Sequence, residues 1–220
     1  FNLWDPSSSA STYEHVPVDI AGTKFDWGVF NDIKIDETNV ATHGTWRTLT
    51  KDEWIYLLSK RTDATAKLMH ATITDENTNI IAKGLILLPD NWTTPDGITL
   101  NSGISGQPTW DEYRGTMSIK FTSQQGSWEY NKFTYSQWAT LEAAGAVFLP
   151  ANDYARQNNI DYYSMQGNYW SSTGDRNTYK TPYTVVIGTT SLIVHYNGIN
   201  NSPQYNNGYE GRCVRLVTDK

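Results

Sequence analysis

The chain has 220 residues, 9 Trp, 14 Tyr, one Cys and a formal net charge of −6. That length supports one good core. The acidic balance, with no Lys/Arg cluster to offset it, argues against nucleic acid as a partner. A lone cysteine excludes an internal disulfide, so packing alone must hold the fold.

No apolar run approaches the ~20 residues of a membrane span. The chain begins at Phe1 without a signal-peptide pattern, so it is expected to be a mature or trimmed piece. Residues 1–24 are Ser/Thr-rich, with a polar opening at Asp5-Pro6-Ser7-Ser8-Ser9, and read as an arm or a loop crossing the surface. Residues 25–220 show no clean internal boundary and read as one domain. Phe25 to Phe30 reads as a short strand or a packed turn.

Thr50-Lys51-Asp52-Glu53 is a capping box: the Thr hydroxyl takes an orphan backbone N–H and the Glu carboxylate returns one. Trp54, Leu57 and Leu58 follow at helical spacing, so a helix is expected over about 51–61. Leu68 to Ile73 and Ile80 to Leu88 predict a strand pair joined near Asp75-Glu76-Asn77, and Pro89 to Trp92 predicts a turn. Residues 93–131 are rich in Gly and Pro with little periodicity, and read as a long irregular insert. A second capping box, Thr134 to Gln137, opens a helix expected over about 135–144. Trp138 and Leu141 mark its buried face and Gly145 its C-terminal cap. Ala146 to Pro150 reads as a buried strand.

The stretch from Asn168 to Val217 has a different composition. Both of its ends, Asn168 to Thr173 and Gly211 to Val217, alternate as half-buried strands do, and two further strand-like runs, Tyr183 to Ile187 and Leu192 to Tyr196, lie between. Eight of the 14 Tyr fall between 161 and 210, accompanied by Asn, Ser and Gly. Tyr offers a large rigid contact at low entropic cost, and Asn, Ser and Gly offer adaptable hydrogen bonds, which is the chemistry of a binding surface. The other reading of the same residues is a set of plain turns that happen to carry Tyr.

Several phrases occur in a fixed order: Trp27-Gly28-Val29, Trp46 to Trp54, Gly84 to Trp92, Gly145 to Ala151, Tyr169 to Thr173, and Gly211 to Val217. Together they resemble the Fibrobacter major paralogous domain family of gut Bacteroidetes and their phages, itself similar to the C-type-lectin-like fold. The resemblance covers roughly residues 25–217. It implies an α+β fold with two helices flanking small twisted antiparallel sheets, and a ligand surface built by the C-terminal strands and loops. It further implies that the region between Thr173 and Gly211 is similar to the variable region of diversity-generating retroelement products, in which adenine-directed codon changes enrich Asn, Tyr, Ser and Asp. Val185, Ile187, Ile193 and Val194 would then stay fixed as strand positions.

Other chemistries are tested by residue type. The formylglycine-generating relatives of that fold need paired cysteines, whereas Cys213 is alone in a strand pattern expected to bury it. The tripeptides that hold sugar-binding calcium in C-type lectins are only half matched by Gln107-Pro108-Thr109, leaving Asp90 and Asp96 as weak ion candidates. His15, His43, His70 and His195 form no i, i+4 zinc pair, and Gly-x-Ser-x-Gly does not occur. His195 reads equally as a ligand contact or a satisfied strand histidine. Trp110 and Trp128 either stack on sugar rings or pin the insert to the core, and the apolar area of a buried Trp favours pinning.

The expectation is therefore a non-enzymatic, cofactor-free module at a bacterial cell surface or on a phage virion. It binds a cell-surface protein or glycan through Asp175, Arg176, Asn177, Tyr179, Tyr196, Asn197, Asn200, Asn201, Tyr205, Asn206 and Tyr209. The alternatives are a structural surface lipoprotein domain and a formylglycine-generating-enzyme-like oxidase.

Overall fold

Two threonines set where the main helices begin. A computed structural model describes residues 19–23, 26–31, 45–101, 103–111, 115–152, 154–156, 159–161, 165–174, 182–196 and 212–218. For Phe30, residues 154–156 and 159–161, and Tyr196 it describes the backbone alone. Thr50 and Thr134 each accept the N3 backbone N–H, and the Glu53 and Gln137 side chains each accept the cap N–H in return. Both predicted capping boxes are thus closed, at helices α2 (Lys51–Ile55) and α3 (Tyr135–Ala143). Helix α2 continues as a π-helical turn, Tyr56–Lys60, which completes the helix expected to about residue 61. Gly145, at φ 99°, donates to the Glu142 carbonyl while Ala146 donates to that of Leu141. This left-handed ending is one that a side-chain-bearing residue would strain.

The strands are β1 (Arg47–Thr48), β2 (Leu68–Thr74), β3 (Ile80–Leu87), β4 (Thr109–Asp111), β5 (Thr116–Lys120), β6 (Asn131–Thr134) and β7 (Val147–Pro150). They continue with β8 (Tyr154–Arg156), β9 (Asn159–Asp161), β10 (Gly167–Gly174), β11 (Pro182–Ile187), β12 (Ser191–Tyr196), β13 (Cys213–Val214) and β14 (Leu216–Val217). Among the described residues they form a four-stranded sheet, β6-β2-β3-β7, and a six-stranded sheet, β13-β10-β11-β12-β5-β4, with small pairs β1-β14 and β8-β9. The fold is mixed α+β, mostly sheet.

The four-stranded sheet is buried on both faces. Leu68, Leu85, Leu87 and Leu149 share one cluster with α2 and with Tyr169, Val185, Ile187, Leu192, Val194, Met117 and Ile119 of the six-stranded sheet. Their neighbours Met69, Ala71, Ile73, Ile86 and Phe148 turn the other way, onto Trp138 and Leu141 of α3. Period-2 alternation thus feeds two cores, and every residue of β2 is buried as a result.

The structure corrects several expectations. Of the two readings of residues 25–30, the packed turn holds and the strand does not: residues 27–30 form a helical turn, α1 (Trp27–Phe30), which Asp26 caps by accepting the Gly28 N–H. The insert over 93–131 is not wholly irregular: Thr116-Met117-Ser118-Ile119-Lys120 alternates in burial and pairs with β12. The sheets are mixed rather than antiparallel throughout, since β6 runs parallel to β2 and β13 parallel to β10. Strand β10 is buried almost end to end, not half-buried, because its outer face is covered as well; Arg212 lies over the Trp170 ring and donates to Asn168. Strand β7 is only partly buried, with Leu149 inside and Pro150 exposed. Ile20, near the end of the stretch expected to be an arm or a loop crossing the surface, is fully buried and donates its N–H to the Ser172 carbonyl.

Candidate functional site

The Asn/Tyr-rich segments leave the six-stranded sheet from one end. Strand β10 runs out to Gly174, which sits opposite Pro182 at the start of β11, and Tyr183 of β11 pairs with Tyr196 at the end of β12. The strand ends that lead into residues 175–181 and 197–211 therefore lie at the same end of the sheet, with the start of β11 between them. The chain re-enters at β13, beside Tyr169 and Trp170 on the far flank of β10. With strands ~4.8 Å apart, the second segment links strands separated by ~14 Å across the sheet. Strand β5 opens at the same end, since Met117 pairs with Val194.

The described rim of this end is polar and tightly cross-linked. The Lys51 N–H at the start of α2 donates to Thr173 Oγ1 at 3.0 Å, and Lys51 Nζ sits 4.9 Å from the centre of the Tyr183 ring. Gly115 lies against the Tyr183 hydroxyl and Lys51 Nζ, and its φ of 60° is a backbone conformation that a side-chain-bearing residue would strain. Asp19 bridges to Thr173 and accepts the Ser172 hydroxyl at 2.8 Å. Just behind the rim, Arg47 grips Glu53 through two bonds of 2.8 and 2.6 Å. That grip, helped by Thr50, holds the Glu53 pKa down at about 2. The contribution of Glu53 to stability is therefore present above its ordinary pKa of 4.5 and lost only as pH falls towards 2.

Of the expected contact residues, Tyr196 is the last residue of β12, with its backbone paired to Tyr183. Asp175, Arg176, Asn177, Tyr179, Asn197, Asn200, Asn201, Tyr205, Asn206 and Tyr209 lie outside the described residues.

No protein-family model matches this chain, and no curated protein or solved structure does either.

Two tyrosines of the Tyr-rich stretch turn out to be core. Tyr169 is 3% exposed, 5.9 Å from Trp54 between ring centres, and donates its hydroxyl to the Pro150 carbonyl; Tyr183 is buried too. Val185, Ile187 and Val194 point into the core, whereas Ile193 faces the other way, because Leu192 and Val194 take the inward register. His195 shares the outer face with Ile193 and is half-buried, and its carbonyl accepts the Thr184 hydroxyl.

Cys213 is exposed rather than buried, since β13 is a two-residue edge strand paired on one side. Protein atoms crowding the sulfur still push its pKa up, against a hydrogen bond with Asn152 that lowers it. A nucleophilic thiol needs the opposite shift. Asp90 bonds to Lys67 and Arg61, which hold its pKa below the ordinary carboxylate value, and among the described residues no three His, Cys, Asp or Glu side chains group as metal ligands do. The two insert tryptophans part company: Trp128 is buried against His70, whereas Trp110 on the edge strand β4 is 44% exposed with Lys60 Nζ 5.3 Å from its ring centre.

Proposed function

We propose that this chain is a non-enzymatic binding module of C-type-lectin-like type that recognises a protein or glycan on a cell or virion surface, without a cofactor. The observation that supports this reading most is that two segments rich in Tyr and Asn depart from the same end of one sheet, from β10 and β12 on either side of β11. Buried β10 and the inward residues of β11 and β12 hold the bases of those segments fixed. Rigid bases lower the ordering cost of binding, and large aromatic rings supply the contact energy. In this reading Tyr179, Tyr196, Tyr205 and Tyr209 are anchors and Arg176 is a stacking or bidentate donor. Asp175, Asn177, Asn197, Asn200, Asn201 and Asn206 tune specificity through hydrogen bonds. The absence of any helix long and apolar enough to cross a membrane, among the described residues, is compatible with such a surface role.

We further propose that the surface is diversified by a retroelement. Comparing the same locus across isolates tests this. Substitutions should concentrate between 174 and 209 at adenine-bearing codons, and spare Val185, Ile187 and Val194. An even spread of differences would instead favour a structural surface domain.

A further inference from the structure

Strands β2 and β3 turn polar where their inner face leaves the core. Thr72 and Lys83 pair across the two strands, two residues along from the pair His70 and Leu85, and so share the face by which Leu85 enters the core. There a cavity of about 410 Å³ lies between Lys83, the loop over 123–129 and the β11-β12 turn at Thr189 and Thr190. That volume is in the range of small-molecule sites. The turn is at the far end of β11 and β12 from residues 175–181 and 197–211, so the cavity is separate from the segments assigned above to recognition.

Its walls are tied together. Gly126 packs so closely on the Thr189 carbonyl that a Cβ would not fit, and the Phe121 N–H donates to the Thr190 carbonyl at 3.0 Å. Thr72 Oγ1 donates to the Trp128 carbonyl at 2.8 Å, which fastens the loop to β2. Most of the exposed wall is carbon. Its charged groups are one accessible pair, Lys83 and Glu129, whose side chains are 20% and 50% exposed. Lys83 Nζ lies 3.6 Å from Glu129 Oε1, beyond the ~3.2 Å span of a good hydrogen bond. Neither head group is saturated. The one other bond of either among the described residues is that which Glu129 Oε1 accepts from the Thr72 hydroxyl at 3.2 Å.

A hydroxyl oxygen about 2.8 Å from both atoms fits this gap, accepting from the ammonium and donating to the carboxylate. Such a bridge leaves the ion pair in place, whereas a charged ligand must pull it apart. A carbon wall beside a point that takes hydroxyls matches a molecule with a C–H face and a hydroxyl edge. We infer that this cavity binds a neutral pyranose sugar, its C–H face on the carbon wall and one hydroxyl between Lys83 Nζ and Glu129 Oε1.

Titration of the full chain with the methyl glycosides of glucose, galactose and mannose, followed by NMR shifts, tests the inference. At least one should saturate with a Kd of about 1 mM, the scale for a ligand of this size. Binding that weak dissociates too fast to be retained on an array. K83M and E129A should each weaken it about fivefold or more. Both variants should fold, as circular dichroism would verify, since a partly exposed ion pair adds little stability. Methyl glucuronide, which carries a charge, should bind no tighter than methyl glucoside. No saturation by any of the three sugars, a tenfold preference for the glucuronide, or binding undiminished in either variant would each overturn the inference. Loss of binding in Tyr196→Ala/Tyr205→Ala, with K83M unaffected, would assign the sugar to the other end of the sheet and overturn it as well.

Discussion

Replacing Asp26 with Ala should cost about 4 kcal/mol of stability, one of the largest effects of any single substitution in this chain. The carboxylate is fully buried. It accepts the Gly22 N–H at 2.9 Å, the Gly28 N–H at 3.1 Å, the Thr48 N–H at 3.0 Å to each oxygen, and the Thr48 hydroxyl at 2.6 Å. Alanine leaves the Gly28 and Thr48 backbone donors and the Thr48 hydroxyl buried without an acceptor, each loss costing about 1–3 kcal/mol before relaxation, while the Gly22 N–H, at an exposed residue, can turn to water. Relaxation recovers part of this, which sets the expected total. For a chain of this size the melting temperature should fall by about 8–16 °C. Asp26→Asn should fall between the two, since an amide presents one acceptor oxygen where the carboxylate presents two. A fall of under about 2 °C in the alanine variant would mean that water replaces the carboxylate freely. The damage should also spread, because Thr48 sits in β1, whose partner β14 fastens the chain after the Tyr/Asn segments.

The second large effect is an acid transition owed to His70. Its ring is fully buried, set edge-on to Phe121 and Trp128 at 4.6 and 4.4 Å between centres, with Nδ1 2.8 Å from the Gln125 carbonyl. Burial pushes its pKa down to about 4, although main-chain hydrogen bonds act in the opposite direction. The unfolded chain therefore takes up a proton near pH 6.5 that the folded chain refuses until about pH 4. The stability at stake is fully present above pH 6.5 and drains away as pH falls towards 4, by about 3 kcal/mol in total. His70→Asn, which keeps a donor toward Gln125, should be less stable at neutral pH yet nearly flat over that window. Denaturant midpoints measured from pH 7 to 4.5 separate this from Glu53, whose contribution drains only below pH 4.5. Parallel pH slopes for the two proteins would contradict the assignment.

Local signals were legible and distant ones were not. Thr50 and Glu53, or Thr134 and Gln137, act within one helical turn, so spacing alone reveals the cap. The β2-β3 hairpin is likewise announced by two apolar runs around Asp75, which accepts the N–H groups of Asn77 and Asn79. Over residues 25–30 local sequence leaves strand and turn open, because Asp26, which fixes the α1 turn, is tied to Thr48, 22 residues away. Strand β5 was hidden by the glycines around it, although its five residues alternate cleanly. The two-residue strands β13 and β14 join different sheets, a division that no seven-residue phrase can disclose. Tyr169 and Tyr183 show the limit of composition: a tyrosine in a Tyr/Asn-rich stretch is core or surface according to strand register, which composition does not encode. The cavity gathers Lys83, Glu129 and Thr190 from three separate parts of the chain.

The proposal of a displayed recognition surface is tested most directly by presenting the intact chain, and its Tyr196→Ala/Tyr205→Ala variant, to arrayed bacterial surface glycans and surface proteins. Melting curves of both proteins are recorded alongside. The intact chain should bind a discrete set, and the variant should lose that set while melting within about 2 °C of the parent, as surface substitutions do. Binding that survives both substitutions, or a melting temperature that collapses with them, would contradict the proposal.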